Sequence, residues 1–134
     1  MKLITRDTDY ALRALCYISM HKERMVSAAE LVRRLKIPRP FLRKILQALN
    51  KSRMLKSYKG QGGGFKLRLA AGEIYLLDIL RIFQGEFKLN ECLFKKEVCP
   101  NVRRCMLKKK LDRIEGLVVG ELKNITISSL IRGG

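Results

Sequence analysis

The sequence predicts a mainly α-helical fold with one small β-hairpin, for three reasons. Apolar residues recur at helical spacing over 8–21, 27–35, 41–50, 74–83 and 106–122. Polar and apolar residues alternate over 54–58 and 65–69, as they do in half-buried strands. The tract 59–64 between these two runs is rich in glycine and predicts a hairpin tip. Two short helices followed by a hairpin indicate a winged helix-turn-helix, here with a long C-terminal helix.

The helix-turn-helix is predicted from residue 27 onward. Ser27 and Glu30 have the spacing of a capping box, in which the hydroxyl caps a free amide and the carboxylate reaches back to the first amide. Pro38 and Pro40 cannot continue this helix, so it ends near Leu35, and Pro40 suits the first turn of the next helix. The second helix has an apolar face formed by Phe41, Leu42, Ile45, Leu46 and Leu49.

Charge indicates what this unit binds. Residues 31–72 contain no Asp or Glu and a set of basic side chains, namely Arg33, Arg34, Lys36, Arg39, Arg43, Lys44, Lys51, Arg53, Lys56, Lys59, Lys66 and Arg68. Such a one-sided run favours a polyanion, and the motif order favours duplex DNA, with the second helix in the major groove and the wing beside it.

The candidate DNA-binding residues fall into two groups. Arg39, Arg43 and Gln47 are the expected base readers, because Arg suits guanine and Gln suits adenine in the major groove. Lys44, Lys51, Lys59 and Gln61 are expected to hold phosphates or groove walls and to add affinity without sequence information. Ser27 is a further DNA-binding candidate.

Whole-chain properties agree with nucleic-acid binding and exclude other classes. The chain has 134 residues and a formal charge of +17, which favours nucleic acid over a small acidic substrate. No apolar run reaches the length of a membrane span and no signal peptide is visible, so we expect a cytoplasmic protein without membrane contact. Paired carboxylates and a nucleophile with a plausible base are lacking, so we expect no enzyme. The glycine tract matches neither a dinucleotide fingerprint nor a phosphate-binding P-loop.

Three cysteines form the second chemical feature. Cys92, Cys99 and Cys105 stand among Lys and Arg residues, a setting that lowers thiol pKa values and offsets the charge of a thiolate-bound metal centre. Their spacing does not fit a zinc site built on Cys-x-x-Cys pairs. In a reducing compartment they are ligands, redox groups or core residues rather than disulfides. Cys16, in the first helix, is expected to be a small core residue.

The last helix offers a seam for another helix. Leu107, Leu111, Ile114 and Val118 follow one another at alternating steps of four and three. The sequence therefore divides into a DNA-binding domain over 1–84, a cysteine-containing loop over 85–105, and a dimerisation helix with a C-terminal segment over 106–134.

These motifs together are similar to a known family. The N-terminal MKLIT leading into DYALR, the wing sequence GQGGGFKL, three cysteines before a long helix, and a closing ITISSL resemble the IscR/NsrR/RirA-type (Rrf family) winged-helix regulators of bacteria. The resemblance implies a homodimer paired through its long helices and two winged helices reading a partly palindromic operator. It also implies an iron-sulfur cluster, [2Fe-2S] or [4Fe-4S], on Cys92, Cys99 and Cys105, whose state would set operator affinity in response to redox, iron or nitric oxide.

The sequence departs from that family pattern at several positions. Six residues separate Cys92 from Cys99, where five are usual, and Lys108 stands where one branch has a histidine ligand. Another branch takes an aspartate from the partner subunit, and Asp9 matches that position, although Asp9 also has the spacing of an ion pair with Arg13. Two alternatives stay open: a cluster-free regulator of the same family that uses redox thiols or a partner protein, and a non-specific RNA-binding basic protein.

Overall fold

The computed structural model of the chain describes residues 3–88 and 106–132. The described part is mostly helical with one two-stranded antiparallel hairpin, which confirms the predicted fold class. The predicted cysteine site, Cys92, Cys99 and Cys105, lies outside the described residues. The elements are α1 (Arg6–Met20), α2 (Ala28–Leu35), α3 (Arg39–Lys51), β1 (Leu55–Tyr58), β2 (Gly64–Leu67), a 3-10 turn (Ala71–Glu73), α4 (Leu76–Gln84), α5 (Met106–Leu122) and α6 (Ile127–Arg132).

The turn between α2 and α3 follows from its local sequence. Lys36 adopts the left-handed conformation (φ 56°, ψ 38°) and its N–H donates to the carbonyl of Val32, which ends α2. Ile37 is buried, and Pro38 is extended and precedes α3. Pro40 follows within the first turn of α3, where its missing N–H costs no helical hydrogen bond. The short turn predicted from the two prolines is therefore present.

Helix α1 is the centre of the fold. It packs against α2, α3, α4, α6 and β2. Its apolar face, with Ala11, Leu15 and Ile18 fully buried, joins one core cluster with Ile45 of α3 and Ile79 of α4. The sequence predicted a start near residue 8, but α1 begins at Arg6, because the Thr5 hydroxyl accepts a hydrogen bond from the Thr8 N–H and caps the helix earlier.

The C-terminal segment returns to this core. The N–H of Leu76 donates to the carbonyl of Ile125, and that of Ile127 donates to Ile74, so the turn after α5 pairs with the chain entering α4. Helix α6 then packs on α1, as predicted for residues 125–130. Leu122 of α5 joins a second apolar cluster on α4. Among the helices in the described ranges, none is both long and apolar enough to span a bilayer.

One part of the predicted capping box is wrong. The Ser27 hydroxyl accepts the Glu30 N–H at 3.1 Å, as predicted. The Glu30 carboxylate, however, is held by the Arg24 guanidinium through two hydrogen bonds of 2.7 and 2.6 Å, and it also accepts the Tyr17 hydroxyl at 2.5 Å. A charged guanidinium with fork geometry binds a carboxylate more strongly than a backbone amide does, so this carboxylate turns away from the cap.

Candidate nucleic-acid interface

Helix α3 presents one exposed polar stripe. Arg39, Arg43, Gln47 and Asn50 are spaced by four, four and three residues, which puts them on one face of the helix. All of them are exposed. The opposite face is buried through Leu42, Ile45, Leu46 and Leu49. The core therefore fixes which side of α3 faces outward, and that side carries the three predicted base readers together with Asn50.

Two lysines flank this stripe. Lys44 and Lys51 are exposed on α3 beside the stripe, within reach of the walls of a groove that the stripe would enter. Asn50 was not among the predicted base readers, although its step of three from Gln47 was visible in the sequence. Asparagine pairs with adenine in the same bidentate way as glutamine, so Asn50 joins the candidate readers.

The wing is a hairpin of two four-residue strands with a charged outer surface. Leu55 pairs with Leu67, Lys56 with Lys66 and Tyr58 with Gly64. Lys56 and Lys66 are thus directly opposite each other, an arrangement of like charges that destabilises a free hairpin. The exposed tip contains Lys59 and Gln61, as the predicted wing requires, and it is closed by a 3.0 Å hydrogen bond from the Gly63 N–H to the Gly60 carbonyl.

Strand β2 of the wing is fixed, at its end near the hairpin tip, to the chain just before α2. Val26 and Phe65 form an antiparallel bridge with backbone hydrogen bonds of 3.0 and 2.8 Å. A Cβ on Gly64 would lie 2.6 Å from the carbonyl oxygen of Val26 and 3.1 Å from the amide nitrogen of Ser27. The wing and Ser27 are therefore in close contact, and glycine is needed at 64 because the two backbones approach too closely for a side chain.

Positive charge on this face is not neutralised from within. The twelve basic side chains of residues 31–72 are exposed, apart from the half-buried Lys66. None of them forms an ion pair with an acid in the ranges 3–88 and 106–132. The acids that form ion pairs in the described ranges pair with Arg and Lys outside the run 31–72. The face formed by α3 and the wing, here called the basic face, thus has the electrostatic character of a polyanion-binding surface.

A partly exposed polar network joins α1 to α2. The pKa of Glu30 is lowered to about 2, mainly by the hydrogen bonds from Arg24 and to a smaller extent by the hydrogen bond from Tyr17. The same contact raises the pKa of Arg24. His21 stacks on Tyr17 with 4.3 Å between ring centroids, and its Nδ1 is 2.9 Å from the Tyr17 carbonyl oxygen. This network ties the first turn of α2 to the last turn of α1.

Among the residues predicted to bind a cluster, Asp9 is the one that lies within the described ranges. Asp9 forms an exposed ion pair with Arg13, 3.0 Å between Oδ2 and Nη2, so the pairing inferred from spacing is present and its role as a ligand stays a prediction. Lys108, which stands at the position of a histidine ligand in one branch of the similar family, contacts Asp112 at 2.8 Å. Cys16 is half-buried in the core, and burial raises the pKa of its thiol.

Comparisons with known proteins agree with this architecture. The family described as "Rrf2: Iron-dependent Transcriptional regulator" matches residues 4–133. A protein of Aquifex aeolicus (strain VF5), whose name assigns it to the HTH-type transcriptional regulators, is 33% identical over 132 residues, covering 96% of this chain and 92% of that protein.

Two solved structures show the same fold. CymR (YrzC), the global cysteine regulator of B. subtilis, has a TM-score of 0.81 and 22% identity, covering 100% of this chain and 99% of that one. IscR of T. potens has a TM-score of 0.70 and 23% identity, covering 99% of this chain and 88% of that one. At these identities the likeness concerns the fold, and it confirms the winged helix-turn-helix predicted from the sequence.

Proposed function

The chain belongs to the Rrf2 family of transcriptional regulators, and from this premise we propose that it binds an operator in duplex DNA as a homodimer. In this proposal α3 enters the major groove and the wing contacts the adjacent phosphates or the minor groove. The observation that supports it most is the basic face itself. The polar stripe on α3 faces outward because the opposite face of the helix is buried. The basic side chains of this surface have no acidic partner among the residues described.

The candidate residues divide by the kind of contact they can make. Arg39, Arg43 and Gln47 read base edges, because their planar groups match guanine and adenine bidentately. The other members of the set bind phosphates, the hydroxyl of Ser27 acting beside the free amides at the N-terminus of α2. These phosphate ligands are Ser27, Lys44, Lys51, Lys59 and Gln61.

A second copy of the chain is the expected partner of α5. This helix contacts α4 through Leu122 and Val118, yet Leu107, Ile114 and Leu117 are 67%, 48% and 65% exposed. An apolar stripe of this kind on a long helix favours pairing with another helix. Pairing α5 with its copy about a two-fold axis would bring two basic faces to successive turns of one duplex, as a partly palindromic operator requires.

The cofactor we infer is an iron-sulfur cluster held by Cys92, Cys99 and Cys105, with the partner's Asp9 as the candidate fourth ligand. Thiolates are the usual ligands of such clusters, which supply a centre sensitive to redox state, iron or nitric oxide. The geometry around Asp9 is compatible with this role. Its side chain is 44% exposed, and among the described residues it is held only by an exposed ion pair, which costs little to exchange for another contact.

One observation favours a second candidate without a cluster. Lys108 occupies a ligand position of the similar family and is engaged with Asp112, and a lysine ammonium cannot coordinate iron. In that case the three cysteines act as redox thiols, or a partner protein supplies the signal. Both candidates share the same DNA-binding function.

The DNA proposal is tested by selecting duplexes from a random library with the purified protein. Affinity for the selected operator and for a scrambled duplex is then measured by fluorescence anisotropy at matched salt. Arg43→Ala and Gln47→Ala should each reduce the preference for the operator roughly tenfold. Lys44→Ala should weaken both duplexes equally, and Arg132→Ala on α6 is the control. A wild type that does not discriminate between the duplexes would contradict the proposal and favour non-specific binding.

The cofactor proposal is tested separately under anaerobic conditions. Iron and sulfide are quantified and the visible absorption is recorded for the native protein and for a triple variant with Cys92→Ala, Cys99→Ala and Cys105→Ala. Colour in the wild type and none in the triple variant is expected. A wild type that stays colourless after reconstitution would favour the thiol alternative. Equal operator affinity and selectivity of the cluster-loaded and cluster-free forms would remove the sensing role and leave the DNA-binding role intact.

A further inference from the structure

The end of α4 is hydrogen-bonded to the start of α1 by one side chain. Gln84 Oε1 accepts both the Thr5 N–H at 2.8 Å and the Thr8 hydroxyl at 2.6 Å. Gln84 Nε2 donates to the Leu3 carbonyl at 3.2 Å. We call these four residues the Gln84 latch. Thr8 is fully buried, and its hydroxyl also lies 3.1 Å from the Thr5 hydroxyl oxygen.

The turn held by this latch also contacts the helix that carries the stripe. Arg6 lies between Thr5 and Thr8, and its guanidinium carbon is 4.2 Å from the centroid of the Phe41 ring. Phe41 is in the first turn of α3, between Arg39 and Arg43 in the sequence. A cation over an aromatic face at this distance is an attractive and directional contact. One turn of α1 is therefore fixed by Gln84 on one side and contacts α3 on the other.

We propose that Gln84 is a positioning residue for operator binding, acting through Thr8 and the Arg6–Phe41 contact on the first turn of α3. The proposal rests on the DNA-binding function proposed above. The latch holds the turn of α1 that carries Arg6, and Arg6 holds Phe41. Phe41 sets where Arg39 and Arg43 enter the groove, and small displacements of base-reading side chains reduce discrimination more than they reduce phosphate binding.

The chemistry of the latch explains why glutamine suits this position. A side-chain amide offers an acceptor for two donors and a donor for one carbonyl at the same time. In Gln84→Glu the two accepted hydrogen bonds can remain, but the carboxylate repels the Leu3 carbonyl. In Gln84→Met the length is kept and every hydrogen bond of the Gln84 amide is lost, so the buried Thr8 hydroxyl keeps only the Thr5 hydroxyl, 3.1 Å away, as a partner among the described residues. Thr8→Val removes the hydroxyl donor with little change of shape.

The test measures affinity for the selected operator and for scrambled DNA, the slope of affinity against salt, and the melting temperature of the full-length protein. Gln84→Met and Thr8→Val should lower operator affinity roughly 3- to 30-fold. Affinity for scrambled DNA should change less than about twofold and the salt slope should not change, because no phosphate ligand is lost. Arg81→Lys, on the exposed side of the same helix with the charge kept, is the matched control and should behave as wild type.

Two results would overturn the positioning role while leaving the proposed function intact. One is a preference for the operator that is as large in Gln84→Met and Thr8→Val as in wild type. The other is an equal loss on operator and scrambled DNA together with a lower melting temperature, which is what a merely structural role produces. A wild type without any preference would overturn the proposed function, and the positioning role with it.

A double-mutant cycle tests the route through α3. Phe41→Leu keeps an apolar side chain in the core and removes the ring beneath Arg6. If the latch acts through this contact, Gln84→Met should add little further loss of operator preference in the Phe41→Leu background. Additive effects would overturn the route. Arg6→Gln should reproduce the Gln84→Met loss without lowering the salt slope, and a lowered slope would instead identify Arg6 as a phosphate ligand and overturn its positioning role.

Discussion

The backbone of Phe65 in the wing pairs with that of Val26, the residue before the cap of α2, through hydrogen bonds of 3.0 and 2.8 Å. The hairpin is thereby extended by one bridge to the helix-turn-helix. A two-stranded hairpin is marginally stable by itself. This bridge gives the wing a fixed direction relative to α3, so the basic face behaves as one surface.

We expect Gly64→Ala to break this attachment. The added Cβ would lie 2.6 Å from the Val26 carbonyl oxygen, within the backbone of the neighbouring segment. The strain should lower the free energy of unfolding by roughly 1–3 kcal/mol, which denaturant titration measures. Gly72→Ala is the matched control, because its Cβ would meet only the Ser128 Cβ at 4.0 Å. Equal stability of the two variants would contradict the close approach at Gly64.

Asn50 and Lys51 should have separable effects on DNA binding although they are neighbours in the sequence. Asn50→Ala is expected to reduce the preference for operator over scrambled DNA roughly tenfold and to leave the salt slope unchanged, because Asn50 lies on the base-reading stripe. Lys51→Ala should weaken both duplexes and reduce the salt slope by about 1. Anisotropy titrations at several salt concentrations distinguish these results. Equal behaviour of the two variants would mean that the stripe does not face the bases.

A charge placed on the exposed side of α5 should prevent dimer formation. Leu117 is 65% exposed, and Leu117→Glu would put a carboxylate into the proposed helix pair without disturbing the core of one subunit. Sedimentation equilibrium should then show a monomer with an unchanged far-ultraviolet spectrum. Lys109→Glu, exposed on a different side of α5, should remain dimeric. A dimeric Leu117→Glu variant would place the subunit contact elsewhere.

The network around Glu30 predicts a pH dependence of stability. Hydrogen bonds from Arg24, and to a smaller extent from Tyr17, lower the pKa of Glu30 to about 2. A carboxyl whose pKa is depressed in the folded state contributes stability above its unfolded pKa, near 4.3, and loses that contribution as the pH falls toward 2. The melting-temperature advantage of wild type over Glu30→Gln should therefore be constant above about pH 5 and shrink below it. Tyr17→Phe should remove part of this advantage, and an advantage independent of pH from 6 to 2.5 would contradict the network.

The sequence predicts the local elements well because local rules govern them. Pro38 and Pro40 determine the turn between α2 and α3, and the change from helical spacing to alternation marks the wing. The exposure of Arg43 and Gln47 also follows, since the opposite face of α3 is apolar and the core must cover it.

Contacts between distant segments were not predictable in the same way. The Val26–Phe65 bridge and the Gln84 latch join residues far apart in the chain, and no periodicity or spacing signals them. The predicted carboxylate half of the capping box failed for a related reason. Arg24 competes for Glu30 more strongly than a backbone amide, and that competition depends on where the chain before α2 runs.

Lys56 and Lys66 face each other in the wing. Added salt therefore has two opposite effects on this protein. Added salt screens the repulsion between the two ammonium groups and stabilises the free hairpin, while it weakens the attraction between the same groups and a nucleic acid. The unliganded wing is therefore most strained at low ionic strength, where a duplex is bound most tightly. We therefore expect a duplex that contacts both lysines to relieve part of this repulsion.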